Sequence, residues 1–310
     1  MQAALLDELL QKTSRTFALA IPLLPEPTRQ AVGLAYLVLR IADTFEDATR
    51  WAPERRRDAL ERLARVMRLS GDARVVAARE LVDWAMETPP VDDTNYLTLL
   101  RETAEVFAGV NALSPGLERA VIAHSLRTAE GMERVVARID ARGNLQLTSV
   151  RDLQDYCYLV AGIVGELLTD VFLHDCPALE RERDALTAEM VAFGEGLQLV
   201  NILKDAADDA RDGRVYLPPG VERAALFALA RADLLAGNRY VQALQRGGAP
   251  RGYLSFCGLS LTLAFKALDV LEAHGAGKKV SREEVAHLFG ALEAQLDAGG
   301  QLELAPRNQR

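Results

Sequence analysis

The residues best suited to chemistry sit in two short acidic segments, Asp43-Thr-Phe-Glu-Asp47 and Asp205-Ala-Ala-Asp-Asp209. Each sets two aspartates at i and i+4, with a further carboxylate (Glu46 or Asp208) at i+3. On an α-helix, residues four apart lie about 40° apart on one face, so each pair projects its carboxylates together. Like charges at that spacing repel. A single such segment reads as solvated surface; two in one chain, each ending an apolar helix, point to two facing carboxylate walls that divalent cations neutralise. Carboxylates grouped without histidine or cysteine suit hard cations, above all Mg²⁺, which takes one or two of them and completes its shell with water and phosphate oxygens. Ions held there would stabilise the charge growing on a departing diphosphate.

The flanks of the two segments fit this reading. Arg40 and Tyr36 stand at i−3 and i−7 from Asp43, and Asn201 and Gln198 at i−4 and i−7 from Asp205. Gln198, Asn201, Asp205, Asp208 and Asp209 form a polar stripe on a helix that also carries Leu197, Leu199, Val200, Ile202 and Leu203. A solvated face would mix Lys with Glu, so the stripe describes a cavity wall. Arg15, Arg40, Lys204 and Arg214 place positive charge in or beside these segments.

The elements that must position these residues read as helix nearly throughout. Hydrophobic residues make up 49% of the 310, aromatics only 6%, and no segment alternates with period two, so a sheet is not expected. Apolar periodicity predicts helices over 3–12, 28–47, 52–69, 75–87, 95–108, 118–138, 149–173, 180–209, 222–246, 253–274 and 281–296. Ser281-Arg-Glu-Glu284 is a capping box opening the last. With no convincing linker, the chain 1–310 reads as one all-α domain. The arginine-rich run 50–68 has the spacing of a solvated helix face.

Other function classes fall away. A net charge of −8 argues against a broad nucleic-acid surface. Cys157, Cys176 and Cys257 form no CxxC and read as small buried hydrophobes in a reducing compartment. The N-terminus lacks the pattern of a signal peptide. The apolar window 157–172 is short and contains Glu166 and Asp170, and residues 306–310 are too polar for a tail anchor. These readings predict a soluble cytoplasmic protein.

Several stretches together resemble the squalene/phytoene synthase family. They are Ser14-Arg-Thr-Phe17, the run from Tyr36 to Asp47, Tyr156-Cys-Tyr-Leu-Val-Ala-Gly-Ile-Val-Gly165, Asn201-Ile-Leu-Lys-Asp-Ala-Ala-Asp-Asp209, and Gly213-Arg-Val-Tyr-Leu-Pro218. They occur in the family's order, and Tyr-Leu-Val-Leu-Arg with Asp-Thr-x-Glu-Asp is nearer the squalene synthases than the phytoene synthases. The resemblance implies a single-domain all-α isoprenoid synthase fold with helices around a central apolar cavity. It implies head-to-head condensation of two farnesyl diphosphates through presqualene diphosphate to squalene, with Mg²⁺ and NADPH as cofactors.

By matched position, Asp43, Glu46, Asp47, Asp205, Asp208 and Asp209 would bind Mg²⁺. Ser14, Arg15, Phe17, Tyr36, Arg40, Gln198, Asn201, Arg214 and Phe256 would line the substrate site. Tyr156 would help remove the proton as a cyclopropane closes. The resemblance places cofactor phosphates near Arg15, Arg40, Lys204 and Lys279, although no G-x-G-x-x-G follows a strand. Lys204 stands where squalene synthases often carry Arg, keeping the charge but not the fork. It also implies transient contact with the inner membrane surface for product release, by a monomer or weak dimer.

The chemistry asks for dry walls, because water would quench an allylic cation, and the apolar stretch 157–172 supplies them. Gly162 and Gly165 would let a helix or the substrate approach closely. Two alternatives stay open: an enzyme ending at presqualene diphosphate, dehydrosqualene or phytoene without reduction, and a non-catalytic assembly protein of the same fold. The presence of all six carboxylates counts against the second.

Overall fold

The computed structural model describes residues 3–14, 17–275 and 280–305. By internal contacts the chain forms two compact units, residues 1–22 with 26–143, and residues 23–25 with 144–310.

Helices build the first unit: α1 (Ala3–Thr13), α2 (Phe17–Ala20), α3 (Thr28–Glu46), α4 (Pro53–Arg68), α5 (Gly71–Met86), α6 (Thr94–Arg101), α7 (Thr103–Asn111) and α8 (Pro115–Val136). α3 packs against α1, α4, α6, α7 and α8. Its Val32, Leu34, Leu37, Val38, Ile41 and Phe45 are buried, each contributing about 1.5–3 kcal/mol against the entropy of ordering the chain. That burial holds α3 as a helix although no side chain caps its start. Four of its polar residues, Arg29, Tyr36, Arg40 and Asp43, recur every three, four or seven positions, so they share one strip. Arg29 at the head of the strip donates to both Asp7 carboxylate oxygens, at 2.6 and 2.8 Å, tying α1 to α3.

The first unit corrects three expectations. The helix expected over 95–108 is two helices broken at Glu102, and the helix expected from 75 begins at Gly71, whose φ of 55° turns the chain straight out of α4. The arginine run is also not simply a solvated face. Arg55 lies over Trp51 and Trp84, at 4.9 and 4.4 Å from the ring centres, and Arg62 over Trp84 at 4.5 Å. Arg56 is buried and donates to the Trp51 carbonyl, while Arg57 and Arg68 pair with Glu133 and Glu130 of α8.

The second unit contains β1 (Leu145–Gln146), α9 (Val150–Cys157), α10 (Ile163–Asp175), α11 (Arg183–Arg211), β2 (Arg214–Val215), α12 (Arg223–Gly247), α13 (Arg251–His274) and α14 (Arg282–Ala298). Two features were not expected. β1 and β2 form a two-residue parallel pair, Leu145 opposite Arg214 and Gln146 opposite Val215. A π-helical turn, Tyr158–Gly162, separates α9 from α10, closed by the Ile163 N–H on the Tyr158 carbonyl. The capping box at Ser281 and Glu284 forms as expected.

Glycines set the spacing of α10 and α11. A Cβ on Gly165 would collide with the Met190 carbonyl, and one on Gly194 with the carbonyl of Ala161 in the π-turn. Of the two roles open for Gly165, the structure shows helix contact. Two helical stretches, Val150–Asp175 and Arg251–His274, are long and apolar enough to cross a membrane, but most of each is buried inside the protein. Cys157 and Cys257 are buried as expected, whereas Cys176 is partly exposed.

Candidate active site

In the first unit, the strip on α3 becomes a connected polar chain. The Tyr36 hydroxyl donates to the Thr13 carbonyl at 2.7 Å and accepts from Arg40 Nε and Nη2 at 3.3 and 3.2 Å. Arg40 Nη1 lies 3.2 Å from Asp43 Oδ2. Ser14 Oγ accepts from the Phe17 backbone N–H at 2.9 Å, and the Phe17 ring lies 5.5 Å from Tyr36. The structure thus gathers Ser14, Phe17, Tyr36, Arg40 and Asp43, five of the expected residues. Arg15, between them in sequence, lies outside the described residues.

The electrostatics of this group oppose one another. Asp43 is 34% exposed at its side chain. Burial pushes its carboxyl up to about 6, Arg40 pulls it down, and the Asp47 charge adds to the rise. Burial works against the Arg40 charge too, but Asp43, Tyr36 and Tyr96 outweigh it and raise that pKa further. Glu46 is half-buried, and Asp47 is exposed at the end of α3 with its backbone N–H on the Asp43 carbonyl.

The acidic segment of the second unit has a different setting. Lys204 Nζ donates to Asn201 Oδ1 at 3.2 Å and pairs with Asp205 at the same distance. Asp208 pairs with Arg211, and both side chains are more than two-thirds exposed. Gln198, Asp205 and Asp209 are half-buried, but Asn201 and Asp208 are exposed. The stripe expected to line a cavity is thus exposed at these two positions, and the last buried residue on α11 is Leu203. Arg214 is held by the β1–β2 pairing and lies 3.9 Å from Asp212.

Tyr156, at the end of α9, is 6% exposed and stacks on Tyr216 with ring centres 4.7 Å apart. Its hydroxyl donates to the Tyr216 hydroxyl at 3.2 Å. Tyr216 was not singled out from the sequence, although it lies in the Gly213–Pro218 motif; nothing local to it signals a partner 60 residues away. Phe256 is buried within α13.

Among the described residues, no three His, Cys, Asp or Glu side chains are grouped to hold a metal ion. The donor set nevertheless fits Mg²⁺, which needs only one or two carboxylates when phosphate oxygens and water complete its shell. The repulsion between Asp43 and Asp47 is of the kind a cation relieves. NADPH finds less support. Lys279, like Arg15, lies outside the described residues, Arg40 is engaged by Tyr36 and Asp43, and Lys204 by Asn201 and Asp205. The two that are described are each engaged by neighbouring side chains, and no hydride step follows from them.

Comparison with known proteins supplies the remaining context. The chain is 30% identical over 215 residues to squalene synthase from Eremothecium gossypii, a match covering 68% of this chain and 45% of that one. The chain thus spans less than half the length of this curated relative. A solved complex of TcSQS with a ligand superposes with a TM-score of 0.74 at 22% identity, over 96% of this chain and 89% of that one. A dehydrosqualene synthase in complex with ligand gives a TM-score of 0.54 at 23% identity, over 95% and 96% of the two chains. The fold is accordingly the all-α isoprenoid synthase fold. The profile of squalene/phytoene synthase matches residues 10–286, nearly the whole of the chain. On this evidence the chain belongs to the squalene/phytoene synthase family.

Proposed function

We propose that the chain is a Mg²⁺-dependent synthase that joins two farnesyl diphosphates head to head, first forming presqualene diphosphate. The observation that carries this reading is the chain from Thr13 through Tyr36 and Arg40 to Asp43, which sets a fixed cation beside a partly buried carboxylate. Asp43, Glu46, Asp47, Asp205, Asp208 and Asp209 would hold Mg²⁺, which when bound neutralises the diphosphate's charge as it departs.

Arg40, fixed by Tyr36, offers further N–H groups to the same diphosphate oxygens. As the allylic C–O bond breaks, its electron pair leaves with the diphosphate. The double bond of the second substrate attacks the resulting carbon, and loss of a proton closes the cyclopropane. Tyr156 is assigned to assist that proton loss, with its hydroxyl held by donation to Tyr216, and the departed diphosphate takes up the proton. The burial of Tyr156 and Tyr216 favours a water-poor setting.

Squalene is the end product favoured by the squalene synthase relative, while the likeness to a dehydrosqualene synthase supports the non-reductive reading. Product analysis after incubation with farnesyl diphosphate and Mg²⁺, with and without NADPH, tests both. A C30 product is expected in each case, and squalene only with NADPH. No turnover of farnesyl or geranylgeranyl diphosphate overturns the synthase reading.

A further inference from the structure

Tyr96 belongs to neither acidic segment nor its flanks, yet it reaches the cation beside one of them. It lies in the first turn of α6, where the Asp93 carboxylate accepts from the backbone N–H groups of Asn95 and Tyr96 at 2.8 and 3.4 Å. That cap fixes the start of the helix, and α6 packs on both α1 and α3. The Tyr96 ring centre is 5.9 Å from Arg40 Cζ, and the Tyr36 ring centre 5.4 Å. Both lie within the range at which a guanidinium is drawn to an aromatic face.

The Arg40 side chain is pulled several ways. Asp43, one turn along α3, attracts it, and a guanidinium left to itself beside a carboxylate tends toward a forked pair. Here Nη1 approaches Asp43, while Nε and Nη2 donate to the Tyr36 hydroxyl. The two hydrogen bonds to Tyr36 use two of the five guanidinium N–H groups. A second aromatic face, presented by a separate helix, restrains the plane of the group without using another hydrogen.

We infer that Tyr96 is a positioning residue: its ring holds the Arg40 guanidinium in the plane that keeps the remaining N–H groups available to a diphosphate. The inference rests on the diphosphate reading above and adds a determinant that acts through Arg40 without touching the substrate. Tyr96 is half-buried, so a substitution there leaves the fully buried core of α3 intact.

The test measures inorganic pyrophosphate binding by calorimetry in the presence of Mg²⁺, with the full chain and its Tyr96→Phe, Tyr96→Leu and Tyr96→Met variants. Tyr96→Phe keeps the aromatic face and binds like the parent. Tyr96→Leu and Tyr96→Met lose it and bind about three- to tenfold more weakly. With farnesyl diphosphate, KM rises by the same factor and kcat is nearly unchanged, the pattern for lost uniform binding. Thermal unfolding of each variant confirms a folded protein, and the second non-aromatic variant serves if the first does not fold. Non-aromatic variants that bind as tightly as the parent overturn the inference alone, as does a Phe variant that falls with them. A parent that binds no pyrophosphate overturns the diphosphate reading and the inference with it.

Discussion

At the end of α3, Asp43 is partly buried, on a helix buried along most of its length, beside a guanidinium already held by Tyr36. At the end of α11, by contrast, Asp205, Asp208 and Asp209 follow a stretch with no buried residue beyond Leu203, and the partners described for Asp205 and Asp208 are Lys204 and Arg211. The spacing of acids is the same in both. The difference lies in what the rest of the protein has already done. In the first region, packing has met the cost of ordering the charged groups before any ligand arrives. In the second, that ordering is left for a ligand to supply. Equal sequence signals therefore carry unequal structural commitment.

The largest expected effect tests that contrast directly. Asp43→Ala lowers kcat about 100- to 1000-fold, the loss typical when a fixed electrostatic contribution is removed, and added Mg²⁺ does not restore it. Asp208→Ala costs less, and raising Mg²⁺ recovers much of the loss. Steady-state assays with farnesyl diphosphate across a Mg²⁺ series measure both, and equal, equally unrecoverable losses would break the comparison.

Next in size is a packing change that reaches α11 and leaves α3 alone. Gly194→Ala drives a methyl into the Ala161 carbonyl. Overpacking of this kind costs about 1–3 kcal/mol, read as a fall of roughly 2–5 °C in the unfolding midpoint. Gly290→Ala on α14, where an added Cβ meets nothing within 4 Å, is the control and leaves the midpoint unchanged or higher. Like falls in both variants would show that the contact with the π-turn is not what limits α11.

A smaller effect depends on pH. Burial, followed by the Asp233 charge, pushes Glu195 on α11 up to about 7, with Arg151 opposing and Asp155 adding to the rise. Burial also raises Asp233 on α12 to about 6. Unfolded carboxyls titrate near pH ~4, so between ~4 and these raised values the folded chain holds protons the unfolded chain has released. The stabilisation is present at low pH and is lost as pH rises through the window. Glu195→Gln flattens the decline of the unfolding midpoint from pH 5 to 8 by about 1–3 °C. An unchanged slope removes Glu195 from the account. Smallest of all is Arg211→Ala, which severs the exposed pair with Asp208 and shifts the midpoint by no more than about 1 °C.

The sequence made the first region easier to read than the second because buried helices advertise themselves. Leu34, Leu37, Val38 and Ile41 leave one polar strip on α3, and that strip contains Tyr36, Arg40 and Asp43. The same reasoning could not show that Asn201 and Asp208 on α11 are exposed, since apolar neighbours up to Leu203 do not say what covers the polar face beside and beyond them. What stayed hidden depended on partners distant in sequence. Tyr96 meets Arg40, Tyr216 meets Tyr156, and Trp84 covers Arg55, in each case from a different segment of the chain. Strands of two residues are likewise too short to show alternation.

The π-turn at Tyr158–Gly162 acts as a phase shifter in an otherwise continuous rod. Each residue of an α-helix advances the side chains by about 100°, so one residue accommodated in the wider turn resets the direction of everything after it. Tyr156 can thus face Tyr216 while Gly165 still faces Met190. Deleting one residue within the turn would straighten the rod, and one of those two alignments would have to be given up.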